Sequence, residues 1–217
     1  MHLQSRRTSF SIVSSNLHGE QQAIGPRGND STNWDVLMQQ HGPWQILNSN
    51  DVYCDAWLQV RKDNVIRPDG APGTHSVVFL KPGVSVLALD DDDRVYLTDE
   101  FHYAVGRRTL EVVSGGREPD ELPLAAAQRE LEEELGITAG EWTEMGSFDP
   151  FTTMLNAPAV LFLARRLQFG SSSPEGTENI RCVTVDFAEA IAMAMDGRIT
   201  HGPSVAVLLK SARLLGK

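Results

Sequence analysis

Glu130, Glu133 and Glu134 stand at i, i+3 and i+4 in a stretch that begins with Pro123 and ends at Leu135, just before Gly136. Proline at the first turn and glycine just past the last make that stretch a helix, and at helical spacing the three carboxylates gather on one patch while Glu132 points elsewhere. Like charges so placed repel by a few tenths of a kcal/mol per pair on an exposed helix, and by more in a sheltered one, so a cation is expected to offset them. Carboxylates are hard oxygen ligands that suit magnesium or manganese. Magnesium takes few protein oxygens and leaves its other positions to water and substrate phosphates. Arg129, four residues before Glu133, is placed to brace that carboxylate. The Gly115-Gly116 pair lets the backbone approach the same ion, which makes the carbonyl of Ser114 or Gly115 a further candidate ligand. Alone, the pattern would read as a solvated helix face.

It does not stand alone. Gly115, five residues, Glu121, seven residues, Arg129-Glu130-Leu131, one residue, Glu133-Glu134, one residue and Gly136-Ile137 satisfy every specified position of the Nudix box. Chance agreement of that length is on the order of one in a million. The chain thus resembles the Nudix hydrolases. The resemblance implies an α/β fold: an α/β/α sandwich with a mixed sheet, preceded here by a small N-terminal β subdomain, with the box forming a loop, helix and loop. It also implies metal-assisted attack of water on a diphosphate. On this resemblance Glu130 and Glu134 are the leading metal ligands, Glu133 the next and also a catalytic candidate, with Ser114 offering its carbonyl. Arg129 orients the carboxylates and Glu121 supports the loop.

The order of Val84 to Leu89, Glu100-Phe101-His102-Tyr103 and Leu110 to Gly115 resembles the ADP-ribose pyrophosphatase and nucleotide-sugar hydrolase branch, over about Trp44 to Leu215. That branch commonly forms homodimers with a shared site, and the likeness places Glu111 among the substrate-binding residues. Three departures bear on substrate. His102 stands where the branch has arginine, so Arg107 and Arg108 are the nearest groups for gripping a diphosphate. Val112-Val113-Ser114-Gly115 replaces Leu-Pro-Ala-Gly, and Asp149 to Asn156 replaces a Ser-Pro-Gly turn and following glutamate, with only Pro150 retained. In Glu175 to Arg181, which resembles the branch's acidic loop, Glu178 is the first candidate for general base or extra metal ligand and Glu175 the second. His102 read from its aromatic neighbours alone is a packed strand residue, and His201 before Gly202-Pro203 opens a helix.

Elements must position these groups. Residues 1–42 are rich in Ser, Asn, Gln and Gly and read as a flexible tail, with Arg6, Arg7 and Arg27 balancing Glu20, Asp30 and Asp35. Residues 43–83 read as a β subdomain and 84–217 as the catalytic domain. Alternation predicts one strand over Val52 to Val60, and further strands at His75 to Leu80, Val84 to Leu89, Val95 to Thr98, Thr109 to Val113, Val160 to Ala164 and Cys182 to Val185. Asp90 to Arg94 is a hairpin tip; its acid run lacks the ligand spacing of a calcium loop. Leu124, Leu131 and Leu135 are expected on the buried face of the box helix, and Phe187 to Met195 and Val205 to Leu215 read as helices.

The whole chain of 217 residues carries 29 acids against 19 bases, and five of its ten net negative charges fall between Gly115 and Ile137. Such a balance disfavours nucleic acid and anionic membranes as partners and favours cations. Cys54 and Cys182 make neither a disulfide framework nor a zinc spacing and are expected as ordinary thiols at core or half-buried strand positions. No apolar run is long enough to span a membrane, and no secretory leader is evident, so a cytoplasmic location is expected. The leading expectation is a magnesium-dependent (or manganese-dependent) pyrophosphohydrolase for ADP-ribose or a similar nucleoside diphosphate sugar. The alternatives are a domain that senses such a ligand without hydrolysing it, or an enzyme for GDP-mannose or a dinucleotide. Trp44 and Trp57 are expected in a dimer interface or core rather than stacked on a base.

Overall fold

The computed structural model describes residues 38–172 and 179–217, in which twelve strands and three helices form two sheets. The first sheet comprises β1 (Gln39–His41), β2 (Trp44–Cys54), β3 (Leu58–Ile66) and β4 (Pro72–Leu80), all antiparallel, with β10 (Leu155–Asn156) added in parallel along β4. Two expectations change here. Gln39–His41, inside the stretch read as tail, pairs with β2. The run Val52 to Val60 is two strands and a turn, because the Asp55 carboxylate accepts from the Trp57 and Leu58 amides at 2.7 and 2.8 Å and folds the chain back.

The second sheet has the order β12-β6-β5-β11-β9, with β7 paired to β6 and β8 to β5. Its strands are β5 (Gly83–Leu89), β6 (Arg94–His102), β7 (Arg107–Glu111), β8 (Val113–Gly116), β9 (Ile137–Phe148), β11 (Ala159–Phe169) and β12 (Arg181–Asp186). Only β5 and β11 run parallel, so the sheet is mixed. Along β5 successive side chains leave opposite faces. Val84, Val86 and Ala88 pack with Ala126, Ala127 and Leu131 of α1 (Pro123–Leu135). Leu87 and Leu89 meet Phe187 of α2 (Phe187–Asp196) and Val207 and Leu208 of α3 (Gly202–Leu215). Burial on both faces explains the near-continuous apolar run of β5, and the result is the expected α/β/α sandwich.

Several local readings are refined. Ser114-Gly115-Gly116 is not the end of a strand but the body of β8, in register with Gly83 to Ser85. In α1 the buried residues are Ala126, Ala127, Glu130, Leu131 and Glu134, whereas Leu124 is exposed. The apolar stripe is narrower than the leucines suggested, and two glutamates complete it. Both cysteines are exposed rather than core or half-buried. Trp57 is 73% exposed, while Trp44 is half-buried, its ring 5.6 Å from that of His75. Among the described residues no helix is long and apolar enough to cross a membrane.

Candidate active site

The site begins where β8 passes the side of α1. A Cβ on Gly115 would overlap the Glu130 carboxyl group, so only glycine lets this strand lie so close to that carboxylate. Gly136 closes the helix at φ +65°, and its amide donates to the Glu132 carbonyl at 2.8 Å. A side chain there would also meet the Ser172 amide nitrogen at 2.6 Å. One box glycine therefore lets β8 pass against the Glu130 carboxyl group, and the other closes the helix against the backbone of residues 170–172.

Arg129 is the hub. It donates from Nε and Nη2 to the two Glu121 oxygens at 2.9 and 3.0 Å, from Nη1 to Glu130 Oε1 at 2.8 Å and Glu133 Oε2 at 3.0 Å, and from Nη2 to the Gly116 carbonyl at 3.0 Å. One guanidinium thus offsets three carboxylates, as its planar fork allows. Arg129 holds the Glu121 carboxyl below the usual carboxylate range against the opposing effect of burial, and the Glu118 amide adds to this at 2.9 Å. The carboxylates in turn raise the Arg129 guanidinium, Glu121 most. Arg117 donates to the Glu121 carbonyl from Nε and Nη2, at 3.1 and 2.6 Å, so the loop before α1 is tied at both its side chains and its backbone.

Glu130 and Glu134, one turn apart, are buried to 9% and 8% exposure, whereas Glu133 is part exposed and Glu132 exposed. Among the described residues no group of three or more His, Cys, Asp or Glu side chains is already arranged around a metal position. Glu130 and Glu133 instead lean on Arg129. What suits a divalent cation is the donor chemistry: two sheltered hard carboxylates and a third beside them, next to a strand whose glycine leaves the approach open. Ser114 lies on that strand, its hydroxyl bonded to Ser85 Oγ at 2.8 Å and to the Val112 carbonyl at 3.0 Å.

A second cluster centres on Glu111. Its Oε1 accepts from Thr109 Oγ1 at 2.6 Å and lies 3.2 Å from His102 Nε2, and its Oε2 lies 3.1 Å from His201 Nδ1. His102 Nε2 is also 4.0 Å from Glu100 Oε2. His102 is therefore bound to a carboxylate rather than packed among aromatics. His201 does cap α3, as its position before Gly-Pro suggested, but it also reaches Glu111, a contact with no signal in the local sequence. Burial lowers the His201 imidazole below its ordinary value, Glu111 raises it and His102 lowers it.

The two arginines proposed for a diphosphate have protein partners. Arg108 bonds Asp99 Oδ1 at 2.7 Å, the Asp99 carbonyl, and the Asn179 carbonyl at 3.3 Å. Arg181 takes the other Asp99 oxygen at 2.7 Å. Burial raises the Asp99 carboxyl, yet these two guanidinium groups hold it below its usual range. Arg107 bonds Thr200 Oγ1 at 2.8 Å. Glu175 and Glu178 lie outside the described residues.

Residues 79–205 match the profile of the NUDIX domain. The chain belongs to the Nudix family. It is a Nudix hydrolase, and residues 44–78 match the N-terminal domain of nucleoside diphosphate sugar hydrolases. It is similar to an ADP-ribose pyrophosphatase of Mycobacterium tuberculosis, 26% identical over 176 residues that cover 79% of this chain and 84% of the relative. An ADP-ribose pyrophosphatase of Bacillus subtilis is 30% identical over 123 residues, 57% of this chain and 66% of that one. A methanol dehydrogenase activator of Bacillus methanolicus is 20% identical over 163 residues, covering 74% and 88%. Among solved structures, an ADP compounds hydrolase superposes with a TM-score of 0.71 at 20% identity, over 82% of this chain and 97% of that one, which establishes a shared fold. Within this Nudix fold the box residues Gly115, Glu121, Arg129, Glu130 and Glu133 are joined by direct contacts.

Proposed function

We propose that the protein is a divalent-metal-dependent pyrophosphohydrolase that cleaves ADP-ribose or a related nucleoside diphosphate sugar to a nucleoside monophosphate and a sugar phosphate. The observation that carries this reading is the arrangement of the box: Glu121, Glu130 and Glu133 gathered on Arg129, Gly115 passing against the Glu130 carboxyl group, and Glu134 sheltered one helical turn beyond Glu130. The nucleoside diphosphate sugar hydrolase N-terminal domain and the two ADP-ribose pyrophosphatase relatives support the substrate class.

Glu130 and Glu134, with Glu133 and the Ser114 carbonyl, would hold Mg2+ or Mn2+, which neutralises diphosphate charge and favours formation of the nucleophile. Arg129 keeps the carboxylates oriented, and Glu121 keeps Arg129 in place. Water adds to one phosphorus, the bond to the bridging oxygen breaks, and that oxygen leaves with the electron pair on the second phosphate. A carboxylate takes the proton of the water; Glu178, then Glu175, is proposed for this, with Glu133 as the alternative within the box. His102 and Glu111 are proposed to contact substrate. Arg107 and Arg108 would have to exchange Thr200 and Asp99 for phosphate oxygens to do so. We also propose a homodimer, in line with the branch and with a cavity of about 840 Å³ against the first sheet, lined by Trp44, Arg61, His75 and Met154.

Incubation with ADP-ribose, GDP-mannose, a dinucleotide and a nucleoside triphosphate, with and without magnesium, tests the proposal. The expected outcome is magnesium-dependent release of AMP and ribose 5-phosphate from ADP-ribose; no turnover of any diphosphate at high enzyme concentration would refute it.

A further inference from the structure

We infer that His201 is a positioning residue for Glu111: through Nδ1 it fixes the carboxylate in the orientation in which it meets substrate. The inference rests on the pyrophosphohydrolase reading for its kinetic consequence, but its geometry stands in the free protein.

Ser204 Oγ accepts the Val112 amide at 3.0 Å and lies 2.8 Å from His201 Nδ1, which is also 3.1 Å from Glu111 Oε2. If Nδ1 bore no proton, its lone pair would face an ionised carboxylate oxygen. The Glu111 contact is favourable with the proton on Nδ1, which also lies within hydrogen-bond distance of Ser204 Oγ. Nδ1 is thereby fully used, and among the described residues Nε2 has no hydrogen-bond partner. His201 lines a cavity of about 440 Å³ with Ser85, Ser114, Phe148 and Pro203, and burial favours its neutral form.

Glu111 is consequently held from three elements. Thr109 of β7 donates to Oε1, which His102 of β6 also approaches at 3.2 Å, and His201 at the start of α3 lies 3.1 Å from Oε2. Of these contacts, that of His201 is the one made at Oε2. No signal within the box or its flanks reports this, because the controlling residue lies 90 positions after Glu111 in the chain.

Asparagine and glutamine distinguish the two ring nitrogens, since the Asn amide nitrogen reaches the Nδ1 position and the Gln amide nitrogen the Nε2 position. Purified full-length His201→Asn, His201→Gln and His201→Ala are assayed with ADP-ribose and magnesium, and their amide spectra are compared with wild type to confirm the fold. We expect His201→Ala and His201→Gln to lose about 10²-fold in kcat/KM, the penalty of a misplaced active-site group, and His201→Asn to recover most of the rate. Glu111→Gln combined with His201→Ala should be no worse than Glu111→Gln. Activity retained by His201→Gln and lost by His201→Asn, or no loss in His201→Ala, would overturn the inference. Nitrogen-15 imidazole spectra decide it independently of turnover. A protonated Nδ1 in wild type that loses its preference in Glu111→Gln upholds the clamp even if no diphosphate is hydrolysed, whereas a protonated Nε2 overturns it whatever the activity.

Discussion

Two carboxylate clusters, one on α1 and the loop before it and one at the end of β7, are compensated in different ways. Glu121, Glu130 and Glu133 share one guanidinium that stays charged at any physiological pH. Glu111 is met by two imidazoles and a hydroxyl, and burial lowers one of those imidazoles, His201, below its ordinary value. The first arrangement suits a scaffold that must be ready whenever a cation and a diphosphate arrive. The second sets one carboxylate against a half-buried imidazole whose neutral form is favoured. One fold therefore holds its acids in two ways, by a permanent cation at the box helix and by imidazole and hydroxyl contacts at the end of β7.

The largest expected effect tests the first cluster. Glu134→Gln should lower turnover by about 10³-fold, since several kcal/mol of transition-state stabilisation go with a metal ligand. The rise in melting temperature on adding magnesium should shrink with it, a measurement that needs no substrate. Gly115→Ala comes next. Its methyl would displace the Glu130 carboxyl group, so metal-dependent stabilisation should fall, and thermal unfolding should show a loss of about 1–3 kcal/mol from overpacking.

Arg129→Gln should cost about 2 kcal/mol in urea unfolding at neutral pH, a figure reduced because the side chain is part exposed. Its pH dependence carries a sign. The Glu121 carboxyl is held below its ordinary value, so its contribution is complete above the ordinary carboxylate range and is lost as pH falls through the lowered value. The gap between Arg129→Gln and wild type should thus stay constant from pH 8 to 6 and close in strong acid. A gap that closed near pH 6 would remove the contrast between the clusters.

The smallest effect belongs to the second cluster. His201 is lowered on folding, so the folded state resists its protonation, and stability present above the ordinary imidazole value declines as pH falls below it. Urea unfolding at pH 7.5 and 5.5 should show a decline of about 1 kcal/mol or less from this group. Glu111→Gln removes the influence that raises His201 and should enlarge the decline.

The box helix was legible to the residue, from Pro123 to Leu135, because its ends carry proline and glycine and its chemistry has a fixed spacing. Val84 to Leu89, the Asp90 hairpin and the two later helices were legible for the same reason: local pattern and structure agree there. β9 was missed because it is an edge strand paired only with β11, and its sequence Ile-Thr-Ala-Gly-Glu-Trp-Thr-Glu mixes glycine and acids with few buried side chains. The turn at Asp55 was missed because one side-chain carboxylate overrode a run of clean alternation. In the site, the contact of Arg129 with Glu133 followed from helical spacing, but the Asp99 partner of Arg108 and the His201 partner of Glu111 join segments apart in the chain. Spacing along one segment cannot register a contact made by folding two together.

The short strand β10 has a consequence for modularity. The two family profiles meet between residues 78 and 79, within the last residues of β4, and it is Val78 and Phe79 that pair with Leu155 and Asn156 of the catalytic region. The Val78 amide also donates to the Met154 carbonyl at 2.8 Å, and His75 reaches the Thr153 carbonyl at 3.2 Å. The N-terminal sheet thus borrows its last strand from its neighbour. Neither half is a transplantable cassette: calorimetry should record one cooperative melt, and a fragment cut at the seam would carry an unfinished edge open to aggregation.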